Sequence, residues 1–209
     1  STASVYGEPK KVPIYETNKC LPISIYGKTK LLSENYIKKK SKYNFKYIIF
    51  RYFNVAGSIY KSNLGETKNP PEHLIPIIFK KVLENKRFNI FNKFRTKDGT
   101  GIRDYLHVID VCIAHNKGLK YLNNNQSEIF NLGSKKGLST LSIVKKIQKL
   151  INKKISINFK PKKRGEPDIL ISDANKARKK LKWKTSLSFN KILKDSFEWE
   201  KKLVKKKKI

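Results

Sequence analysis

The segment Phe45 to Phe53, FKYIIFRYF, is apolar or aromatic at all but two positions. A strand with one wet face alternates; a run this continuous belongs to a strand covered on both faces, which points to the centre of a parallel sheet. Parallel neighbours need crossovers, and the rest of the chain supplies them. Residues 1–6 read as a strand end followed by a Gly/Pro/Lys loop, and a helix is expected from about Ser24 to Lys40, with Leu31, Leu32 and Tyr36 among its apolar positions. Further along, helices are expected near 73–86, from Asp110, from Thr140 to Asn152, from Asp173 and near Asn190. They alternate with strands at FNIF, RDYLHV, EIFNLG and KISINF. This alternation predicts an α/β fold on a parallel sheet. No internal repeat or linker is visible, so a second domain would be interwoven rather than appended.

The 209 residues suffice for one sizeable core or two small ones, and 38% hydrophobic residues exclude a disordered chain. The formal charge of +32 would ordinarily suggest a polyanion partner. Only six basic residues are arginine, however, and the lysines are scattered among abundant Asn and Ile, residues with A/T-rich codons. The charge therefore reads as composition rather than as a nucleic-acid surface, although a basic polyanion-binding module stays as the alternative. The C-terminal KKLVKKKKI reads as a solvated tail. No apolar run is of membrane-spanning length and no signal peptide is apparent, so a cytoplasmic protein with no membrane partner is expected. Cys20 and Cys112 are expected to be free buried thiols. His73, His107 and His115 form no metal-binding pair. The chain contains no Met and opens on STASVYG, from which a fragment of a longer protein is expected.

Tyr26 and Lys30, in YGKTK, are one helical turn apart. A phenol, with an ordinary pKa of about 10, acts as a base at neutral pH only where a cation stabilises its phenolate, and an ammonium one turn away can do so. The plainer reading is an exposed face on a lysine-rich helix. Upstream, STASVYG places hydroxyls at a strand end, where open α/β sheets bind ligands.

A hydroxyl, a phenol and a lysine so placed, together with RYFNVAGS, EHLIP, DGTGIRDYLHVID, FNLGS and KKRGEPD, resemble the extended short-chain dehydrogenase/reductases that act on nucleotide sugars. Within that branch the chain is similar, almost end to end, to the UDP-glucose 4-epimerase family. The resemblance implies an incomplete Rossmann-like parallel sheet, drawn from residues 1–58 and 103–135, with an interwoven smaller α/β substrate-binding domain from residues 59–102 and 136–209. It implies NAD as cofactor, a UDP-hexose as substrate and a homodimer. Thr2 matches the catalytic Ser/Thr, Tyr26 the acid/base and Lys30 the lysine on the nicotinamide ribose, while Phe53 lines the nicotinamide pocket. Asn54 matches a sugar-nucleotide contact, His73 and Leu74 a pair near the diphosphate, Phe91 the uracil pocket and Arg103 a diphosphate contact. Lys163 and Glu166 stand where the family has Arg and Asp, so the guanidinium fork is lost and the carboxylate lengthened. Leu170 stands where side-chain bulk governs N-acetylated sugars, and leaves that specificity open.

Read without the resemblance, Phe53 and Phe91 are core aromatics, Asn54 is a turn residue, and Arg103 pairs with Asp104 or Asp98 at the surface. The implied chemistry is oxidation and re-reduction at sugar C4 with Tyr26 moving the proton, which inverts configuration without net redox change. Sugar-nucleotide 4,6-dehydratases carry an Asp-Glu pair where this chain has Ala3 and Ser4; UDP-glucuronate decarboxylases and epimerases are less sharply separated. The ten glycines contain no dinucleotide-binding G-x-x-G-x-x-G or G-x-G-x-x-G turn after a strand. The 209 residues alone are therefore expected neither to hold NAD nor to turn over.

Overall fold

The computed structural model describes residues 1–41 and 45–206. Its elements are α1 (Ile25–Lys40), β1 (Ile48–Tyr52), β2 (Asn54–Ala56), α2 (Leu74–Leu83), β3 (Phe88–Asn92), β4 (Ile102–His107) and α3 (Val108–Asn124). Then follow β5 (Glu128–Leu132), β6 (Gly137–Ser139), α4 (Thr140–Ile151), β7 (Ile157–Pro161), β8 (Ile169–Leu170), α5 (Asn175–Lys180) and α6 (Phe189–Lys206). The α/β alternation is as expected. The unexpected strands β2, β6 and β8 are two or three residues long, too short for periodicity to reveal. At the start of the chain only Thr2 pairs as a strand, bridging Tyr52 in parallel, and Ala3–Tyr6 coil into a 3-10 turn. Residues 201–206 of the expected tail extend α6, and the rest of that tail, 207–209, lies outside the described residues.

Pairing is mainly parallel: β1 with β5, β2 with β4, β3 with β7, and β8 with β4; β6 runs antiparallel, against β4. β4 is the common wall of two cores. Because successive strand residues face opposite sides, Leu106 packs into a core with Phe50, Phe130, Leu132 and Trp183, while Tyr105 packs into one with Ile78, Phe79, Ile90 and Ile147. The same alternation separates Arg103 from Asp104 and overturns their expected pairing. Asp104, fully buried, accepts hydrogen bonds from the Ser134 N–H (2.7 Å) and hydroxyl (2.5 Å), the Lys135 N–H (3.0 Å), and the Ser172 N–H (3.1 Å) and hydroxyl (2.5 Å). It ties β4 to the segments following β5 and β8. Replacing Asp104 with Asn turns an all-acceptor group into one that must present N–H to some of those donors, and should cost about 1–3 kcal/mol of stability. Unchanged urea unfolding would contradict this.

Helix α1 turns one polar residue inward. Glu34 is buried against Arg51 of β1, and Leu31 packs beside it, whereas Leu32 and Tyr36 face outward. Both cysteines are free, but Cys112 is exposed and Cys20 half-buried, contrary to the expected burial. No helix among the described residues is long and apolar enough to cross a membrane.

Candidate active site

A cleft of about 870 Å³ is lined by the first residues of the chain, the start of α1, the β1–β2 junction, the start of α2, β4 and the 163–170 segment. Ser24 caps α1, its hydroxyl accepting from the Gly27 N–H at 3.1 Å, and Tyr26 is the second residue of the helix. Gly27 allows the helix to begin there. A Cβ at that position would lie 2.5 Å from the Ser4 carbonyl oxygen, so only glycine lets α1 rest on the turn that carries Thr2. That contact brings Thr2 and Tyr26 to one cleft. The Thr2 hydroxyl is held locally, accepting from the Ser4 N–H at 3.2 Å and donating to the Ser4 hydroxyl at 3.3 Å. The Tyr26 side chain is exposed, and its hydroxyl has no hydrogen-bond partner among the described residues.

Lys30 is set apart. Its ammonium stands 5.7 Å from the centre of the Tyr26 ring, but it lines a neighbouring hollow of about 500 Å³ with Glu34, Tyr52 and His115. Ser1 borders both spaces.

Phe53, Asn54, His73, Leu74, Phe91, Arg103, Lys163, Glu166 and Leu170 all line the larger cleft. Phe53 serves the core as well, buried with its N–H bonded to the Leu132 carbonyl at 3.0 Å. Asn54 belongs to β2 and is not a turn residue. The Lys163 ammonium lies 4.8 Å from the centre of the Phe91 ring.

Arg103 has no carboxylate within ion-pair distance among the described residues. Asp104 is on the other face of β4, and Asp98 instead holds the Thr100 N–H (3.0 Å) and the Ser139 hydroxyl (2.5 Å). The guanidinium is positioned by carbonyls, donating through Nη1 to Ile102 (2.9 Å) and Asp168 (3.3 Å), with the Phe94 ring 6.0 Å away. Burial pushes its pKa down, with Tyr105, Glu166, Glu8 and Asp168 acting weakly against this. A half-buried guanidinium kept cationic without a paired acid has the chemistry to take an anion.

Lining residues that the sequence did not single out include Lys81, Phe94 and Tyr105. Phe94 also carries the Lys162 ammonium at 4.8 Å. Its position just beyond the end of β3 is the signal that could have found it, since ligands gather at the carboxyl ends of parallel strands. Among the described residues no group of His, Cys, Asp and Glu is arranged to hold a metal ion.

A family model described as GDP-mannose 4,6 dehydratase matches residues 1–196. The chain belongs to this family. Relatives similar to it include the UDP-glucose 4-epimerase of Lacticaseibacillus casei, 39% identical over 204 residues that make up 95% of this chain and 62% of that protein. The structure of UDP-glucose 4-epimerase from Bifidobacterium longum with NAD+ and UDP superimposes with a TM-score of 0.92 at 31% identity, covering 97% of this chain and 62% of that one. The Stenotrophomonas maltophila enzyme, with NAD and formylated UDP-arabinopyranose, gives a TM-score of 0.93 at 28% identity, covering 99% and 63%. The chain thus spans somewhat over three-fifths of the length of these relatives.

Proposed function

We propose that these residues form the catalytic-tyrosine and sugar-nucleotide side of an NAD-dependent UDP-glucose 4-epimerase. The observation that carries this reading is a single cleft whose lining is shared by a phenol, Tyr26, with no hydrogen-bond partner and an arginine, Arg103, with no carboxylate at ion-pair distance among the described residues. Such a site offers a proton acceptor for a hydroxyl and a cation for a diphosphate. The similarity to enzymes crystallised with NAD and UDP compounds supports the same ligands here.

In this reading Tyr26, as phenolate, takes the proton from the sugar 4-hydroxyl and returns it after the sugar has turned over. Its place in the first turn of α1 sets it at the positive end of the helix dipole, and the Lys30 ammonium beside its ring adds a second positive influence on the anion. Thr2 offers a hydroxyl to hold or relay the proton. The nicotinamide end of NAD fits the side chains present: Phe53 gives the cleft an apolar wall, Tyr26 borders it from α1, and Lys30 lines the adjoining hollow. Bound NAD supplies the hydride acceptor and donor at C4. Arg103, His73, Asn54 and Leu74 hold the nucleotide end, with Phe91 and Lys163 at the base and Glu166 at the ribose, so that the hexose can rotate without escaping. Although the family model carries a dehydratase's name, the residues lining the cleft next to Thr2 are Ala3 and Ser4, which supply neither acid nor base for elimination. The exposed apolar residues Ile25, Leu32 and Tyr36 of α1 support a homodimer of the intact protein through that helix.

Conversion of UDP-galactose to UDP-glucose by the intact protein is the direct test, and its absence would refute the reading. For Arg103, replacement by Ala should weaken UDP about 100-fold, the scale of losing one partner of a desolvated charge pair, while uridine binding changes little. Calorimetric titration with both ligands checks this; equal losses for UDP and uridine would remove Arg103 from the diphosphate.

A further inference from the structure

We infer that Glu66 is a positioning residue for the diphosphate, acting through His73; this rests on the nucleotide-sugar reading above. Glu66 Oε2 lies 2.7 Å from His73 Nδ1, so the ring's Nδ1–H donates to the carboxylate, and Oε1 accepts the Glu72 N–H at 2.8 Å. The carboxylate is mostly covered, with 18% of its side chain exposed, whereas the imidazole is 72% exposed and borders the cleft that holds Arg103.

The support behind Glu66 is rigid. A Cβ at Gly65 would lie 2.4 Å from the Trp199 indole, so the chain lies flat on that ring, and Trp199 Nε1 donates to the Glu66 carbonyl at 2.7 Å. Helix α6 therefore fixes the backbone of Glu66, and Glu66 in turn fixes a side chain at the start of α2. Although His73 is the N-cap of α2, its ring makes no capping bond, and Nε2 has no partner among the described residues. With Nδ1 committed to Glu66, Nε2 is the nitrogen left for a ligand.

The surroundings select a phosphate oxygen as that ligand. The first turn of α2 has no acidic side chain, and Arg103 and Lys81 border the same cleft. Other charged or titratable groups lining the two cavities that His73 lines include Glu72, which is paired with Lys68 at 2.5 Å, Tyr105, Lys163, Glu166, Cys112, and Glu200 from α6. Held between the Glu66 carboxylate and the diphosphate, the ring bridges two acids, with Nδ1–H on Glu66 and Nε2 toward a phosphate oxygen.

The test is a double-mutant cycle in the intact protein, titrated with UDP and with uridine. Glu66→Gln should weaken UDP about tenfold and uridine less than about twofold, the scale of one misdirected charge-assisted hydrogen bond. His73→Ala, which leaves the bond from Glu66 to the Glu72 amide in place, should give the same UDP-selective loss. Adding Glu66→Gln to His73→Ala should then change nothing further. Unaltered UDP affinity in Glu66→Gln overturns the inference. So does a further tenfold loss in the His73→Ala background, which would show a structural role independent of the ring. If Glu66→Gln does not fold, an unchanged UDP affinity in His73→Ala overturns it equally. A parent protein that binds UDP no better than uridine removes the nucleotide-sugar reading itself, and this inference with it.

Discussion

Replacing Tyr26 with Phe in the intact protein is expected to lower turnover of UDP-galactose by about 10²–10⁴-fold, the range over which a positioned general acid–base acts. UDP affinity should stay within about threefold. The expectation follows from where the phenol sits. Its ring lies against Lys30 and the helix is anchored by Ser24 and Gly27, so the Phe variant keeps α1 and loses only an oxygen that has no hydrogen bond to break among the described residues. The comparison of initial rates with calorimetric UDP binding separates chemistry from binding. Turnover within a factor of about five of the parent would take Tyr26 out of the proton transfer.

The largest effect on stability is expected from Glu34→Ala, at about 3–5 kcal/mol, because it strands a buried guanidinium. Arg51 is 2% exposed and donates from Nε (2.9 Å) and Nη2 (2.7 Å) to the two oxygens of Glu34. Its remaining bonds, to the Tyr6 hydroxyl at 2.9 Å and the Glu16 carbonyl at 3.4 Å, carry no full negative charge. Burial, only partly offset by Arg51 and Asn131, pushes the Tyr6 phenol up to about 12, so it stays neutral and cannot replace the carboxylate. For Glu34 itself, burial works to raise the pKa, but hydrogen bonds from Arg51 and Ser1 more than offset it and hold the carboxyl below its ordinary value of 4.5. A carboxyl with a lowered folded pKa binds protons more readily when unfolded. Its contribution is thus fully present above about pH 4.5 and is lost as the pH falls through the lowered folded value. Glu34→Gln should remove that part of the acid-induced loss. Urea unfolding at neutral and acidic pH measures both effects, and a Glu34→Ala protein within about 1 kcal/mol of the parent would show that the pair contributes little.

Much of the architecture was legible because burial leaves a local trace. The nearly continuous apolar run around Phe50 identified β1 as a strand covered on both faces, and Ile143, Val144 and Ile147, within about one helical turn, share the buried face of α4. The short strands β2, β6 and β8 left no trace, since two or three residues hold at most one full alternation. The site was legible in a different way. Thr2, Tyr26, Phe53, Asn54 and Arg103 were singled out through motif resemblance, and the structure sets them along one cleft, with Lys30 in the adjoining hollow.

The polar partners were not legible. In the sequence, Glu34 is one charge on a lysine-rich helix, Arg51 one of two charges in an apolar run, and Asp104 the residue next to Arg103.

By itself, the amino-acid order determined the β/α alternation, the two-faced burial of β1 and the residue types available for proton transfer and anion binding. Only the tertiary structure decided that Glu34 closes on Arg51, that Asp104 turns away from Arg103, and that Glu66 stands behind His73. The reason is physical: apolar periodicity is written within a few consecutive residues, whereas a buried charge is satisfied by whichever distant segment packing brings within 3 Å or so.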